Sequence, residues 1–200
     1  MTGSRGRLEA VACPLLRDEI DTDAFIPVSE NTRLTGAGYG DALFAAWRYL
    51  DIEARVPNPD FVLNRPPFDR AQVLLCGRNV GCGSSRESAV WALRDYGFRA
   101  VLAMSFNETF LRNCVSNQIW PLHMAEADVA ALAGEVTAEP GRAIVVDLLT
   151  RSVTARHSRP FEADPYYLHL LIEGLAEDDL LGEYKREIAG IVQRLGETTN

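Results

Sequence analysis

The clearest pattern along the chain is an apolar run, a polar turn and a helical stretch between residues 71 and 97. Residues 71–77 (AQVLLCG) are mostly apolar, which is typical of a strand that is buried on both faces. Residues 85–96 place apolar side chains on one face of a helix, namely Ala89, Leu93 and Tyr96. Gly97 follows where a helix would end. The pattern therefore predicts a strand, a tight turn and a helix.

The same order is repeated immediately afterwards. Residues 99–104 (RAVLAM) predict a strand, and residues 105–117 predict a helix. Ser105 and Glu108 have the spacing of a capping box, in which the two side chains bond backbone N–H groups at the start of the helix. Two such units in succession predict a parallel pair of strands with a right-handed crossover.

Weaker patterns on both sides of these units indicate a mixed α/β fold. They predict, in chain order, a strand over residues 7–16, a long loop over 27–40, a helix over 41–50, a helix over 126–136, a hairpin of 143–150 with 152–157, and helices near 163–175 and 183–195. We expect one domain over residues 1–200, with a C-terminal helical extension from about residue 163.

The charge of the chain restricts its partners. The formal net charge of the 200 residues is −8 at pH 7. Nucleic acids and anionic membranes bind basic surfaces, so neither is an expected partner. A small anionic substrate would need a local cluster of positive charge. The sequence contains no apolar run long enough for a signal peptide or a membrane span, so we expect a cytoplasmic protein.

The four cysteines, Cys13, Cys76, Cys82 and Cys114, do not form a CxxC pair and are not interleaved with histidines. This spacing does not favour a zinc site or an iron-sulfur cluster. We therefore expect reduced thiols and no metal held by this chain.

The candidate chemistry lies in residues 81–87 (GCGSSRE), which form the turn between the strand predicted over 71–77 and the helix that follows it. Gly81 and Gly83 let successive backbone N–H groups point into one concavity, and the helix N-terminus adds partial positive charge there. Arg86 has the planar fork that binds a carboxylate through two hydrogen bonds. Together these residues predict an anion site.

A simpler alternative is a capping box made by Ser84 and Glu87. That alternative requires neither the two glycines nor the arginine. A phosphate-binding P-loop is excluded because the lysine of GxxxxGK[ST] is missing, and the chain contains neither a GxGxxG nor a GxSxG pattern.

The residues around this turn resemble a known family. GRNVGCGSSRESAVWALRDYGFRAVLAMSF is similar to the GCGSSREHAxWAL block in the small subunits of isopropylmalate isomerases, and the swivelling domain of aconitase carries a similar GSSREH. RDEIDTDAFIP resembles the N-terminal DTDxIIP signature, and DALFAAWRYLD, PNPDFVLN and LLIEGLAEDDL match further segments. The resemblance covers almost the whole chain. It implies an aconitase-type swivelling domain with a β/β/α three-layer architecture and C-terminal helices.

The resemblance also implies an activity and a partner. Members interconvert 2-isopropylmalate and 3-isopropylmalate in leucine biosynthesis by dehydration and rehydration. A [4Fe-4S] cluster on a large subunit binds the leaving hydroxyl, so the expected partners are that subunit and a dicarboxylate hydroxyacid.

The family motifs imply roles for individual residues. Ser84 would take the proton beside a carboxylate, which requires convergent N–H donors and a nearby cation. Ser85 and Arg86 would bind a substrate carboxylate. Asp23 would lie near a histidine of the partner subunit, and the alternative interpretation of Asp23 is a turn-forming acidic residue.

Three segments depart from the family pattern. Ser88 stands where the family commonly has histidine, and SFNETF replaces SFADIF. Residues 28–39 lack a KQFL segment, so either Arg33 or Gly36 aligns with an arginine that binds carboxylate, and we favour Arg33. Two other functions stay open: an isomerase for a different substituted malate, and a noncatalytic assembly subunit.

Overall fold

The computed structural model of the chain describes residues 6–31, 38–84 and 86–176. The strands in these residues are β1 (Arg7–Pro14), β2 (Tyr49–Asp51), β3 (Val56–Pro57), β4 (Val73–Leu75), β5 (Ala100–Ala103), β6 (Trp120–His123), β7 (Ala143–Asp147), β8 (Ser152–Thr154) and β9 (Ser158–Pro160). The helices are α1 (Thr22–Phe25), α2 (Ala45–Arg48), α3 (Glu87–Tyr96), α4 (Glu108–Ser116), α5 (Glu126–Ala138) and α6 (Pro165–Glu173), with short 3-10 turns at Val28–Glu30, Val62–Asn64 and Phe68–Arg70.

One sheet contains seven of these strands, in the order β6-β5-β4-β1-β7-β8-β9. The strands β1, β4, β5 and β6 run parallel to one another. The strands β7, β8 and β9 continue the sheet on the other side of β1 as antiparallel neighbours. The predicted parallel pair is therefore confirmed as β4 and β5, and the predicted hairpin as β7 and β8. The strands β2 and β3 form a separate two-stranded ribbon.

Successive residues of the parallel strands belong to two different hydrophobic clusters. Leu74 lies in a cluster with Leu93 of α3 and Phe110 of α4. Its neighbour Leu75 lies in a second cluster, which contains residues of α5 and α6 and, from the antiparallel strands, Ile144. Strands buried on both faces need apolar side chains at every position, which explains the unbroken apolar runs in the sequence. Because both halves of the sheet contribute to the second cluster, the sheet curls around it.

Two strands of the seven-stranded sheet, and both strands of the ribbon β2–β3, were not predicted from the sequence. The strand β6 contains Pro121, which pairs with Val101 of β5. Proline has no backbone N–H to donate to a neighbouring strand, but β6 is an edge strand, where this loss is tolerated. The strand β9 has three residues and pairs only with β8, so it forms the opposite edge.

The predicted cap of the second helix was wrong. The cap of α4 is Asn107, whose side chain accepts hydrogen bonds from the N–H groups of Thr109 and Phe110. The Ser105 hydroxyl instead accepts a hydrogen bond from the Asn79 N–H at 2.7 Å. Ser105 therefore ties the second turn to the first rather than starting the helix.

The helix predicted over residues 41–50 was too long. Phe44 has a left-handed backbone, with φ of 53°, so only Ala45–Arg48 form a helix. The chain is extended from Tyr49 onward. Left-handed backbone at a phenylalanine is rare, and no sequence signal marks it.

Other predicted helices agree with α3, α5 and α6, and β1 ends at Pro14 rather than at residue 16. The helix predicted near 183–195 and residues 32–37 of the loop predicted over 27–40 lie outside the described residues. The single domain over 1–200 stays a prediction. None of the described helices combines the length and the apolar character needed to cross a lipid bilayer.

Candidate active site

The candidate site lies where the segment after β1 meets the turn after β4. Because β1 and β4 are parallel neighbours, the chain leaves both strands at the same edge of the sheet. The Gly81 N–H donates to the Ile20 carbonyl at 2.7 Å, and the Thr22 N–H donates to the Cys82 carbonyl at 3.2 Å. Asp21 and Cys82 form an isolated parallel bridge between these two bonds. Two segments that are distant in sequence are thus held side by side.

The two glycines of the turn have different roles. Gly81 has a φ of 77°, and a Cβ added there would come within 2.0 Å of the Phe110 ring. Its N–H already donates to Ile20, so the predicted anion site has no free donor at Gly81. Gly83 also has positive φ, at 86°, but it is exposed, and its N–H donates to no described backbone carbonyl. Gly83 therefore retains a donor for an anion, whereas Gly81 allows close packing.

Ser84 is exposed, and its carbonyl accepts a hydrogen bond from the Thr22 hydroxyl at 2.6 Å. The capping-box alternative is not formed, because α3 begins after Arg86 without a side-chain cap. The Glu87 carboxylate instead accepts a hydrogen bond from the Asn117 amide at 3.1 Å. The first N–H groups of α3 therefore lack a side-chain cap, which suits them to binding an anion.

Arg86 and Asp23 form an ion pair beside Ser84. The Arg86 Nη1 donates to Asp23 Oδ1 at 2.6 Å, and the two side chains are 21% and 55% exposed. An ion pair at this level of exposure typically contributes no more than about 1 kcal/mol. The two residues with the most specific motif-based roles are thus in contact, through a bond that a competing carboxylate could replace.

Sequence reasoning did not identify Asp21 and Thr22 as part of this site. The Asp21 side chain caps α1 by accepting a hydrogen bond from the Ala24 N–H at 2.7 Å. Thr22 is 1% exposed. The signal that could have found Asp21 is the Asp-Thr-Asp sequence, in which the first Asp has the residue type of a helix cap. The helix α1 has only four residues, too few to show a periodic pattern.

Three residues with motif-based roles lie outside the described residues. They are Ser85, Arg33 and Gly36. The alignment of Arg33 or Gly36 with the family arginine therefore stays open.

Ser88 lies in the first turn of α3 and is 6% exposed. Its hydroxyl has no hydrogen-bond partner. A buried hydroxyl without a partner destabilises the folded state, because its hydrogen bonds to water are not replaced. The substitution at the family's histidine position thus leaves an unpaired polar group behind the site.

The thiols are not activated. Cys82 is half-buried, and burial together with the Asp21 and Glu19 carboxylates raises its pKa. Burial raises the pKa of Cys13 to about 12. All four cysteines are free. In the part of the chain that the structure describes, no group of three or more His, Cys, Asp or Glu side chains is arranged to hold a metal ion.

A cavity of about 300 Å³ lies away from these residues, near the carboxyl ends of β5 and β6. Its lining consists of Met104, His123, Met124, Ala125, Asp128, Pro160, Phe161 and Glu162. It contains no residue of the turn at 81–87, and its lining includes only one basic group. A larger and more open cavity, of about 500 Å³ beside Arg48 and Tyr96, also contains no residue of this turn. The candidate site is therefore identified by the geometry of Ser84, Arg86 and Asp23 and not by either cavity.

Comparison with known proteins gives a consistent result. Residues 6–127, more than half of the chain, match the family model described as the aconitase C-terminal domain. The fold is similar to the crystal structure of 3-isopropylmalate dehydratase from Methanocaldococcus jannaschii, with a TM-score of 0.64 and 23% sequence identity. The match covers 94% of this chain and 99% of that chain. The similarity confirms the expected mixed α/β fold of the swivelling-domain type.

Proposed function

This chain belongs to the aconitase C-terminal domain family, and we propose that it is the small subunit of a heteromeric hydro-lyase that interconverts 2-isopropylmalate and 3-isopropylmalate. The observation that carries the proposal is the contact of Asp23 with Arg86 beside the exposed Ser84. These are the residues that the family motifs place at the substrate. The similarity of the fold to a 3-isopropylmalate dehydratase supports the same assignment.

Arg86 is proposed to bind a carboxylate of the substrate. Its guanidinium has five N–H donors, and a planar fork can bind a carboxylate through two parallel hydrogen bonds. The bond to Asp23 uses Nη1, so an arriving carboxylate can first contact the remaining donors and then displace Asp23. Ser85 and Arg33 are proposed as further carboxylate ligands, on the strength of the motifs alone.

Ser84 is proposed to take the proton from the carbon beside that carboxylate. Its oxygen can accept a proton only if the anionic form is stabilised. Three sources of stabilisation lie nearby: the Gly83 N–H, the uncapped N-terminus of α3 and the Arg86 guanidinium. The C–H electron pair then forms the alkene as the C–O bond breaks, and hydroxide leaves. In the rehydration, hydroxide adds to the carbon that lost the proton, and Ser84 returns the proton to the carbon that lost the hydroxyl.

The other half of the site is proposed to come from a large subunit that carries a [4Fe-4S] cluster. When bound there, the cluster would act as a Lewis acid on the departing hydroxyl. Asp23 is more than half exposed, so a histidine of the partner could reach it. Asp23 would then hold that histidine in position to protonate the leaving hydroxide or to activate the returning water.

Reconstitution with the cluster-bearing large subunit tests this proposal. The expected result is conversion of 2-isopropylmalate to 3-isopropylmalate by the heteromer, and none by either subunit alone. Iron bound stoichiometrically to this chain alone, together with turnover by it alone, would contradict the proposal.

A panel of 2- and 3-substituted malates distinguishes the alternatives. Preference for another substituent would retain the reaction and replace the substrate. A stable heteromer that turns over no malate, while the same large subunit is active with an authentic small subunit, would indicate an assembly subunit instead.

A further inference from the structure

Thr22 is one of few buried polar residues in the described part of the chain. The residue is 1% exposed, and the other buried polar or charged residues there are Ser88 and Arg159. Its hydroxyl donates to the Ser84 carbonyl at 2.6 Å, across 62 residues of sequence. Burying a hydroxyl is unfavourable unless it is hydrogen-bonded. This bond therefore explains why threonine is tolerated at this position.

Thr22 holds the turn at two points. Its N–H donates to the Cys82 carbonyl at 3.2 Å, and its hydroxyl donates to the Ser84 carbonyl two residues further on. Thr22 is itself fixed on α1, because its own carbonyl accepts a hydrogen bond from the Ile26 N–H at 3.0 Å. The turn is thus fastened to a helix that packs in the core through Phe25.

Between the two fastened carbonyls lies Gly83, the most permissive residue of the turn. It has a φ of 86°, and a Cβ added there would meet only Asp21 Cβ, at 3.6 Å. Neither local packing nor a side chain therefore restrains the backbone at Gly83. The orientation of the exposed Ser84 then depends on the hydrogen bond from Thr22.

We propose that Thr22 is a positioning residue, which fixes the backbone of Ser84 so that its hydroxyl meets the carbon that loses the proton. This role rests on the proposed function of Ser84. Thr22 touches neither substrate nor partner in this proposal and acts only through the Ser84 carbonyl. Displacements near 1 Å can lower a rate about 10²-fold, so loss of one orienting bond should reduce the rate of the chemical step.

The test compares three variants of the reconstituted heteromer. Thr22→Val keeps the shape of the side chain and removes the donor, and it should lower kcat by about 10- to 100-fold with little change in KM. Thr22→Ser keeps the donor and should stay within about 3-fold of the unaltered enzyme. Thr154→Val, on the strand β8, is the control for removal of a threonine hydroxyl away from the site. Unchanged kcat in Thr22→Val, or equal losses in the Val and Ser variants, would overturn the proposal.

A second measurement separates this inference from the proposed function. If the unaltered heteromer converts isopropylmalate and Thr22→Val does so equally well, only the role of Thr22 is wrong. If the unaltered heteromer is inactive on all substituted malates, the proposed function fails and the role of Thr22 in it fails too.

Backbone NMR shifts of the isolated chain provide the structural readout. Thr22→Val should shift residues 82–84 and Thr154→Val should not; unchanged shifts would also refute the proposal. Should Thr22→Val not fold, Thr22→Ala removes the same donor.

Discussion

Two ion pairs between an arginine and a carboxylate differ in their exposure to solvent. Arg86 and Asp23 meet at the candidate site through one hydrogen bond, with side chains 21% and 55% exposed. Arg159 and Glu135 meet between β9 and α5, with side chains 10% and 13% exposed. The first pair is reached by solvent, and the second is almost entirely removed from it.

The buried pair is also held by additional partners. The Glu135 carboxylate accepts hydrogen bonds from Arg159 Nη2 at 2.5 Å, from His157 Nδ1 at 2.8 Å and from the Arg156 N–H at 2.8 Å. The Arg159 guanidinium also donates to the His157 carbonyl at 3.1 Å. The hydrogen bond from Arg159 is the main reason that the pKa of Glu135 lies well below its usual range.

The difference in exposure implies different roles for the two pairs. A buried charge that loses its partner is strongly destabilising, so Glu135 and Arg159 form a permanent clamp between the edge strand β9 and the helix α5. An exposed pair is weak and can be exchanged. In the proposed function Arg86 binds a substrate carboxylate, and Asp23 is a partner that such a carboxylate could replace.

The largest effect is expected from removing the hydroxyl beside the exchangeable pair. Ser84→Ala should lower kcat about 10²- to 10⁴-fold, the range for loss of a group that transfers a proton. Its unfolding free energy should change by less than about 0.5 kcal/mol, because Ser84 is exposed and does not cap α3. Steady-state kinetics and urea unfolding measure both quantities. Ser116→Ala, at an exposed serine of α4, is the control, and near-normal turnover of Ser84→Ala would remove its proposed role.

A smaller loss of activity is expected when the planar guanidinium of Arg86 is replaced by an ammonium group. Arg86→Lys should lower kcat/KM by about 10- to 100-fold, because an ammonium group does not reproduce the two parallel hydrogen bonds of a guanidinium. Arg112→Lys on α4 alters a surface pair with Glu108 and should have no such effect. Equal activity of the two variants would mean that Arg86 does not grip a carboxylate.

The clamp should respond in the opposite way, with stability lost and activity retained. Glu135→Gln should lower the unfolding free energy at pH 7 by about 1.5 to 3 kcal/mol, the range for a hydrogen bond to a charged group. Turnover of the heteromer should be unchanged at temperatures where the variant is folded. Glu108→Gln, which removes an exposed charge paired with Arg112, should cost no more than about 0.5 kcal/mol.

The same variant gives the pH dependence of the clamp. The pKa of Glu135 is lowered in the folded state, so its stabilisation is fully present above the unfolded pKa of about 4.3 and is lost as the pH falls below that value. The stability difference between the unaltered chain and Glu135→Gln should therefore shrink as the pH falls from 5 to below about 4. A difference that does not change with pH would show that the charge of Glu135 is not responsible.

The smallest effect is expected at the buried polar group that has no partner. Ser88→Ala should raise the unfolding free energy by about 1 kcal/mol, because it removes an unsatisfied hydroxyl and introduces a better helix former. Urea unfolding measures the change, and Ser116→Ala again serves as the control. A loss of stability would mean that the Ser88 hydroxyl has a favourable contact.

Much of the fold was predictable because its signals are local. The apolar runs around Leu74 and Val101 reflect strands buried on both faces, and the helical spacing of 85–96 reflects packing on one side of α3. The features that were missed depend on distant parts of the chain. Pro121 fits a strand only because that strand lies at an edge, and Ser105 is used by Asn79 rather than by its own helix.

The site follows the same rule. The sequence pointed to Ser84, Arg86 and Asp23 separately, through their motifs. It could not show that Arg86 and Asp23 touch, since that contact depends on β1 and β4 being parallel neighbours. Thr22 could not be identified from the sequence, because its proposed role depends on a hydrogen bond to a carbonyl 62 residues away. A short polar residue between two acidic ones gives no local signal of such a role.

The close approach of Gly81 to Phe110 has a consequence for protein engineering. The turn at 81–87 packs on the Phe110 ring of α4, which is stacked on Phe25 with ring centroids 5.0 Å apart. A graft of residues 81–87 onto another strand-turn-helix scaffold would transfer the turn without the Phe110 ring and without the hydrogen bonds to Ile20 and Thr22. The smallest unit that could be transplanted therefore consists of residues 20–25 and 81–87 together with Phe110. These three parts are far apart in the sequence and meet only in the folded chain.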